Sequence, residues 1–299
     1  MNRREFLVAG GAFAVRPLLS RAGGSADARP VVRFGMVADS HYADIPDRWC
    51  GDDRCYRESL AKMSAAVKAF GELKCDFVIE LGDLKDQTKG PQETLAALDA
   101  VESRLAAFKG DVFHVCGNHD FDCIRPEEFY AHIRNAGRKP ECGHYSFDRG
   151  GIRFVVLDAC YTSDMKHYDR GNPWTDANVP PAELEWLKAT LDAAKGPAVV
   201  FCHQLLDPAA ARPGHLVKNH AAVREVLEKS GKVRNVITGH QHCGAQSVLN
   251  GISHYSLEAQ VDGRGPKTNC YAVASVYADG SVAIDGYERA KPRPRDQSA

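Results

Sequence analysis

Short apolar runs alternate along the chain with longer segments whose apolar positions recur every third or fourth residue. The short runs Val31–Ala38, Phe77–Leu81, Val112–Cys116, Ala198–Cys202 and Val233–Thr238 read as strands. The longer segments Tyr56–Gly71, Pro91–Phe108, Pro126–Asn135, Pro181–Ala194 and His220–Lys229 read as helices. Leu60, Met63, Val67 and Phe70 share one face of the first, and Pro91 sits where a helix tolerates proline, in its opening turn. Gly143–Phe147 and Ile152–Leu157 predict a hairpin about Asp148-Arg149-Gly150-Gly151. The end of the chain is β-rich, with Ile252–Leu257, Cys270–Tyr277 and Val282–Tyr287. Between Tyr161 and Pro180 the chain is polar and has no period, the mark of a functional loop or an insertion. No repeat or linker divides the pattern. It predicts one α/β domain with a central two-sheet core over residues 31–288, followed by a disordered tail at 289–299.

The first residues have a different character. Asn2-Arg3-Arg4-Glu5-Phe6-Leu7 is a twin-arginine pair followed by Phe-Leu, and an apolar stretch runs from Phe6 to Val15. Ala26-Asp27-Ala28 offers small residues for cleavage. Residues 1–28 are therefore expected to be a twin-arginine signal peptide that engages that export machinery and sends the chain to the periplasm or outside. The apolar stretch is too short to span a bilayer, so no stable membrane anchor is expected.

Composition narrows the picture further. The 299 residues are 44% hydrophobic and 26% charged, enough to bury a large core. A net charge of −1 provides no basic field, so nucleic acid is not an expected partner, and an anionic substrate would have to be neutralised by metal. Ten cysteines follow the signal, Cys50 with Cys55 being the best local candidate for a disulfide in an exported protein. No C-x-x-C pair suggests a zinc knuckle, and Cys116 and Cys202 read as buried thiols.

Five polar motifs each follow directly on an apolar run. They are Asp39-Ser40-His41, Gly82-Asp83-Leu84-Lys85-Asp86, Gly117-Asn118-His119-Asp120, His203, and Gly239-His240-Gln241-His242. Ligands of α/β sheets bind beyond the carboxyl ends of strands, so these motifs would bring carboxylates, an amide and imidazoles to one edge. Singly each is weak; together, their mixed oxygen and nitrogen donors suit two hard or borderline divalent metals.

The ordered set D-x-H, G-D-x-x-D, G-N-H-D, isolated His and G-H-x-H resembles the calcineurin-like metallophosphoesterases, over roughly Val31 to Glu258. The resemblance implies a β-sandwich flanked by helices, an αββα layering. It implies that Asp39, His41 and His242 hold one metal, that Asn118, His203 and His240 hold another, and that Asp83 bridges both. Ala38–Asp44, Tyr56–Leu60 and Leu81–Asp83 are most similar to the manganese-dependent ADP-ribose/CDP-alcohol diphosphatase branch, which commonly carries Gln where His41 stands. Purple acid phosphatases carry Tyr at the position of Asp86, so a coloured iron–tyrosinate centre is not expected.

The resemblance thus implies a phosphohydrolase in which hydroxide held between two divalent ions attacks phosphorus in line. Mn²⁺ leads among the metals, with Fe²⁺, Zn²⁺ and Mg²⁺ as alternatives. His119 would stabilise or protonate the leaving oxygen, and by resemblance Asp86 would pair with His119 and orient it. The expected substrate is a small phosphorylated molecule, with nucleotide diphosphates and simple monoesters as rivals. A silent metal-binding scaffold would be expected to lack a ligand or His119, and this chain has them all. Tyr42, Asp44, Tyr56 and Arg57, or His215, Lys218 and Asn219, are further pocket candidates, and Trp174 with its neighbours reads as a lid or a mere insertion.

Overall fold

The computed structural model describes residues 29–49, 53–136 and 142–296. The signal-peptide reading and Cys50 therefore lie outside the described residues. Strand β1 (Val32–Val37) leads past a small hairpin, β2 (Arg48–Trp49) and β3 (Asp53–Arg54), into helix α1 (Ser59–Glu72). Strand β4 (Phe77–Glu80), helix α2 (Pro91–Leu105), strand β5 (Asp111–His114) and helix α3 (Pro126–His132) complete the first half. The second half opens with β6 (Tyr145–Arg149), β7 (Ile152–Val156), α4 (Pro181–Asp192), β8 (Ala198–Phe201), α5 (His220–Ser230) and β9 (Val233–Thr238). It closes on β10 (Ala245–Leu249), β11 (Ile252–Ser256), β12 (Cys270–Val276) and β13 (Val282–Glu288).

The strands form two sheets, ordered β13-β12-β1-β4-β5 and β10-β11-β9-β8-β7-β6. Period-2 alternation decides which face each residue serves. Val32, Phe34 and Met36 of β1 and Phe77 and Ile79 of β4 point between the sheets, where they meet Phe154 of β7 and Phe201 of β8. The intervening Val37 and Val78 point outward and are covered by α1, α2 and α3. On the other sheet Val155, Ala198 and Val200 face α4 and α5. The result is the expected helix–sheet–sheet–helix layering. Both faces of the central strands are buried, which is why they read as continuous apolar runs. At the centre Phe34 stacks on Phe77 at 4.8 Å and meets Phe154 and Phe201 edge-on at 5.8 and 5.7 Å. Cys116 and Cys202 are buried free thiols.

Two features differ from the sequence expectation. Strand β10 was not foreseen because it lies at the sheet edge, where its residues alternate between half-buried and exposed and Val248 is 71% exposed. The signal lay in its turn: Asn250 and Gly251 both have positive φ, the hairpin geometry that Asn-Gly favours. The expected disordered tail is also corrected as far as residue 296. Arg293 exchanges both backbone hydrogen bonds with Ile284 at 2.9 Å, and its buried guanidinium reaches Asn235 and Asp296. A strand-edge partner, rather than apolar content, orders this segment.

Because Phe34 is fully buried among three rings, Phe34→Ala should cost about 3–5 kcal/mol of folding stability. Denaturant unfolding of the two proteins measures it. A loss below about 1 kcal/mol would mean that the sandwich core closes over the gap.

Candidate metal centre

The parallel strands of both sheets point their carboxyl ends at one edge. β1 delivers Asp39 and His41, β4 delivers Asp83, β5 delivers Asn118, β8 delivers His203, and β9 delivers His240 and His242. The backbone there is unusual. Asp39, His41, Asp83 and His240 have φ of 53°, 44°, 58° and 65°, the left-handed region that costs a non-glycine residue of order 1–3 kcal/mol. Such strain persists only where surrounding contacts over-determine it. Two glycines make the crowding possible: a Cβ on Gly117 would lie 2.3 Å from the Asp83 nitrogen, and one on Gly82 would lie 2.5 Å from the His203 ring.

Two donor clusters result. Donor atoms of Asp39, His41 and His242 lie within 4.8 Å of one another, and so do those of Asp83, His203 and His240. Asp83 Oδ2 stands between them, 3.5 Å from His41 Nε2 and 3.1 Å from His203 Nε2. Asp39 joins the halves from the other side by accepting the His240 backbone N–H at 3.0 Å. Every one of these residues is buried.

The rings are aimed by their other nitrogen. His203 Nδ1 lies 2.7 Å from the Leu81 carbonyl, which only accepts, so Nδ1 carries the proton and Nε2 faces the site as a lone pair in the neutral ring. Asp262 holds His242 Nδ1 at 3.0 Å, and Asp86 holds His41 Nδ1 at 3.3 Å. Asp39 Oδ1, Asn118 Oδ1, His203 Nε2 and His240 Nε2 are buried and make no hydrogen bond. Buried polar atoms without partners are costly, and here four of them belong to the residues delivered to this sheet edge. Divalent cations satisfy all four at once, so the donor set fits two metals.

The charges agree. Burial alone would raise the Asp83 carboxyl, but the imidazoles of His203 and His119 prevail and hold it well below its ordinary value. It stays ionised. Burial disfavours the charged His203 ring, yet Asp83 beside it pushes it up to about 10. His240 goes the other way, depressed by burial and by the charge of His203.

His119 lies at the rim of this centre, its ring 4.8 Å from that of His41 and its N–H on Asp83 Oδ1 at 2.7 Å. Its nearest carboxylate is not the expected Asp86, which is 3.8 Å away, but Asp122 at 2.6 Å. Three supporting residues were not singled out from sequence. Asp120 accepts the backbone N–H groups of Gly117, Asp83 and Leu84. Buried Lys85 donates to the carbonyls of His119 and Asp122. Asp122 was missed because its partnership depends on a tight turn that no periodicity announces.

The pocket candidates divide. Tyr56 is core, packed with Ala43, Ala259 and Val261, while Asp44 and Arg57 form an exposed ion pair. His215 lies 4.9 Å from His240, and Trp174 lies 5.7 Å from His240 and 5.2 Å from His215. Lys218 pairs with Asp176, and Asn219 clamps both backbone groups of Val179, so these two fasten the polar loop and do not face the site.

Residues 32–244 match the model of the calcineurin-like phosphoesterase family. The chain belongs to this family, and it is a metal-dependent hydrolase of phosphate esters or anhydrides. It is similar to the manganese-dependent ADP-ribose/CDP-alcohol diphosphatase of Arabidopsis thaliana, 30% identical over 89% of this chain and 97% of that one. The protein of the same name from Danio rerio is 29% identical over 85% and 94%. Among solved structures, a dimetal phosphatase from Danio rerio superposes with a TM-score of 0.80 at 26% identity, covering 90% of this chain and all of that one. A purple acid phosphatase from yellow lupin shares the fold, with a TM-score of 0.56 at 13% identity.

Metal uptake should be linked to protons. The His203 Nε2 lone pair is available only when the ring is neutral, and in the metal-free protein the ring stays protonated until pH rises to about 10. Apparent metal affinity should therefore rise between pH 6 and pH 8, by about tenfold per pH unit for each proton displaced. Metal titrations with measured proton release test this. An affinity that is flat over that range, with no release, would remove His203 from the ligand set.

Proposed function

We propose that the protein hydrolyses nucleotide-type diphosphates such as ADP-ribose or CDP-alcohols, with Mn²⁺ as its metal. The observation that carries this reading is similarity over nearly the full length of relatives that bear that activity in their names. The site itself supports it. Trp174, 42% exposed, stands with His215 beside the His240 cluster, while His119 stands beside the His41 cluster. A substrate therefore meets an aromatic platform at one end of the centre and an acid at the other. Gly214, with φ of 86°, lets the platform form, since a Cβ there would press on the Trp174 ring at 2.8 Å.

When bound, the two metal ions would neutralise the phosphoryl oxygens and supply the nucleophile near neutral pH. Asp39, His41 and His242 would hold one ion, Asn118, His203 and His240 the other, and Asp83 would join both. His119 holds a proton for the leaving oxygen. Burial opposes its charge, but Asp83 and then Asp122 push the ring up to about 9, so it is protonated at neutral pH. Base stacking on Trp174 would contribute about 1–3 kcal/mol to binding.

The test is hydrolysis of ADP-ribose, a CDP-alcohol and nitrophenyl phosphate with Mn²⁺, Mg²⁺, Zn²⁺ and Fe²⁺. Diphosphates with Mn²⁺ should give the highest kcat/KM. Trp174→Ala should raise KM for ADP-ribose by about 5–150-fold and leave that for nitrophenyl phosphate near its original value. A monoester preference, or an equal effect on both substrates, would favour a general phosphomonoesterase.

We also propose that the chain is exported by the twin-arginine route, on the strength of Arg3-Arg4 and the apolar stretch after it. Among the described residues no helix is long and apolar enough to cross a membrane. Changing Arg3 and Arg4 together to Lys should leave uncleaved protein in the cytoplasm, as fractionation and mass measurement would show. Normal export of that variant would point to another route.

A further inference from the structure

The rim of the centre holds two carboxylates near His119, and they have different engagements. Asp86 has three nearer donors than His119. Its Oδ2 lies 3.3 Å from His41 Nδ1 and 3.2 Å from Arg54, and its Oδ1 accepts the Gln87 backbone N–H at 2.7 Å. Asp122 faces His119 Nδ1 at 2.6 Å, against 3.8 Å for Asp86.

This arrangement follows from the local backbone. Residues Asn118–Phe121 form a 3₁₀ turn closed by Asp122, whose N–H donates to the His119 carbonyl at 3.1 Å. In a 3₁₀ turn side chains three apart eclipse one another, which puts the carboxylate of Asp122 on the same side as the ring of His119. The turn is fixed from beneath. The buried Lys85 ammonium donates to the carbonyls of both His119 and Asp122, at 2.6 and 2.7 Å, so one cation ties down the backbone of both partners. Lys85 itself belongs to the Gly82–Asp86 loop that carries Asp83, and the His119 N–H bonds to Asp83. Acid, carboxylate partner and bridging ligand are thus one rigid unit. A neutral imidazole whose Nδ1–H is held by a carboxylate presents Nε2 outward, and a protonated one presents Nε2–H.

We propose that Asp122, and not Asp86, is the positioning residue of His119, fixing its tautomer and ring plane so that Nε2 faces the leaving oxygen, while Asp86 orients the metal ligand His41. The proposal rests on the acid role given to His119 above and deepens it. The two carboxylates then have separate roles, Asp122 in proton delivery and Asp86 in metal retention.

Three variants separate these roles. They are Asp122→Asn, Asp86→Asn and, as a rescue, Asp122→Glu. Asp122→Asn should keep the wild-type metal content. It should lose kcat on a poor leaving group, within the roughly 10²–10⁴-fold that general acid catalysis contributes, and lose much less on nitrophenyl phosphate. Asp122→Glu should recover part of that loss. Asp86→Asn should weaken metal retention by about 10–100-fold, with unchanged sensitivity to the leaving group. A readout independent of turnover is the ¹⁵N-histidine spectrum of the Zn²⁺-loaded protein. The hydrogen-bonded Nδ1–H resonance that disappears in His119→Ala should shift in Asp122→Asn and persist in Asp86→Asn. The reverse pattern in the spectrum, a loss of metal from Asp122→Asn, or an equal loss on both leaving groups would each overturn the assignment. If the wild-type protein hydrolyses none of the phosphate substrates, the acid role fails, while the spectrum still decides which carboxylate holds His119.

Discussion

The structure around the centre depends on one buried carboxylate. Asp83 lies between two imidazole clusters, ionised, in a left-handed backbone conformation, and 1% exposed. Each of these conditions is unfavourable alone, and each is met by a neighbour placed to offset it. Gly82 and Gly117 leave room for the backbone to approach. Asp120 accepts the N–H groups of Asp83, Leu84 and Gly117, closing the turns on either side with one side chain. The strand before it is braced as well. Glu80 accepts the Gly82 N–H at 2.8 Å and sits 3.3 Å from His114, whose other nitrogen lies 3.3 Å from Glu102 of α2. Burial works against a charged His114, but Glu102 and Glu80 push it up to about 10. A buried chain of titratable groups is weak evidence for stability. Its structural consequence here is a link from helix α2 to the backbone next to Asp83.

The same economy explains the supporting carboxylates. Imidazole ligands offer one nitrogen to a metal and need a partner for the other. His203 takes the Leu81 carbonyl, His242 takes Asp262, and His41 takes Asp86. The imidazole at position 41 sets what Asp86 can do. Its Nδ1 lies 3.3 Å from that carboxylate and claims it. Arg54 reinforces the claim from the small hairpin, at 3.2 Å. A residue of the candidate ligand set thereby engages a carboxylate outside that set.

Much of this was legible in the sequence, for a physical reason. Strands covered on both faces are mainly apolar, so β1, β4, β8 and β9 announce themselves, and the polar residues that follow such runs stand at the carboxyl edge of the sheets. The motif glycines mark where the backbone has to turn. What stayed hidden depended on contacts that no local pattern records. Strand β10 stands at a sheet edge and leaves Gln246 and Val248 exposed, so no buried apolar run marks it. Arg293 is ordered by backbone pairing and an ion pair rather than by apolar content. Trp174 reads as either a lid or an insertion, and only folding shows its ring 5.7 Å from that of His240.

Asp122 is the most informative of the hidden residues, because the sequence misleads and does not merely fall silent. The family resemblance pairs His119 with Asp86, and Asp86 does arrive within 3.8 Å. Proximity alone does not decide the pairing; competition among donors does. Asp86 has three closer donors, His41, Arg54 and the Gln87 backbone. Asp122 holds His119 at 2.6 Å. Moving Asp86 to His119 would take the acceptor from the buried Nδ1 of His41, and a buried group without its partner costs about 1–3 kcal/mol. A second carboxylate in the turn removes that conflict.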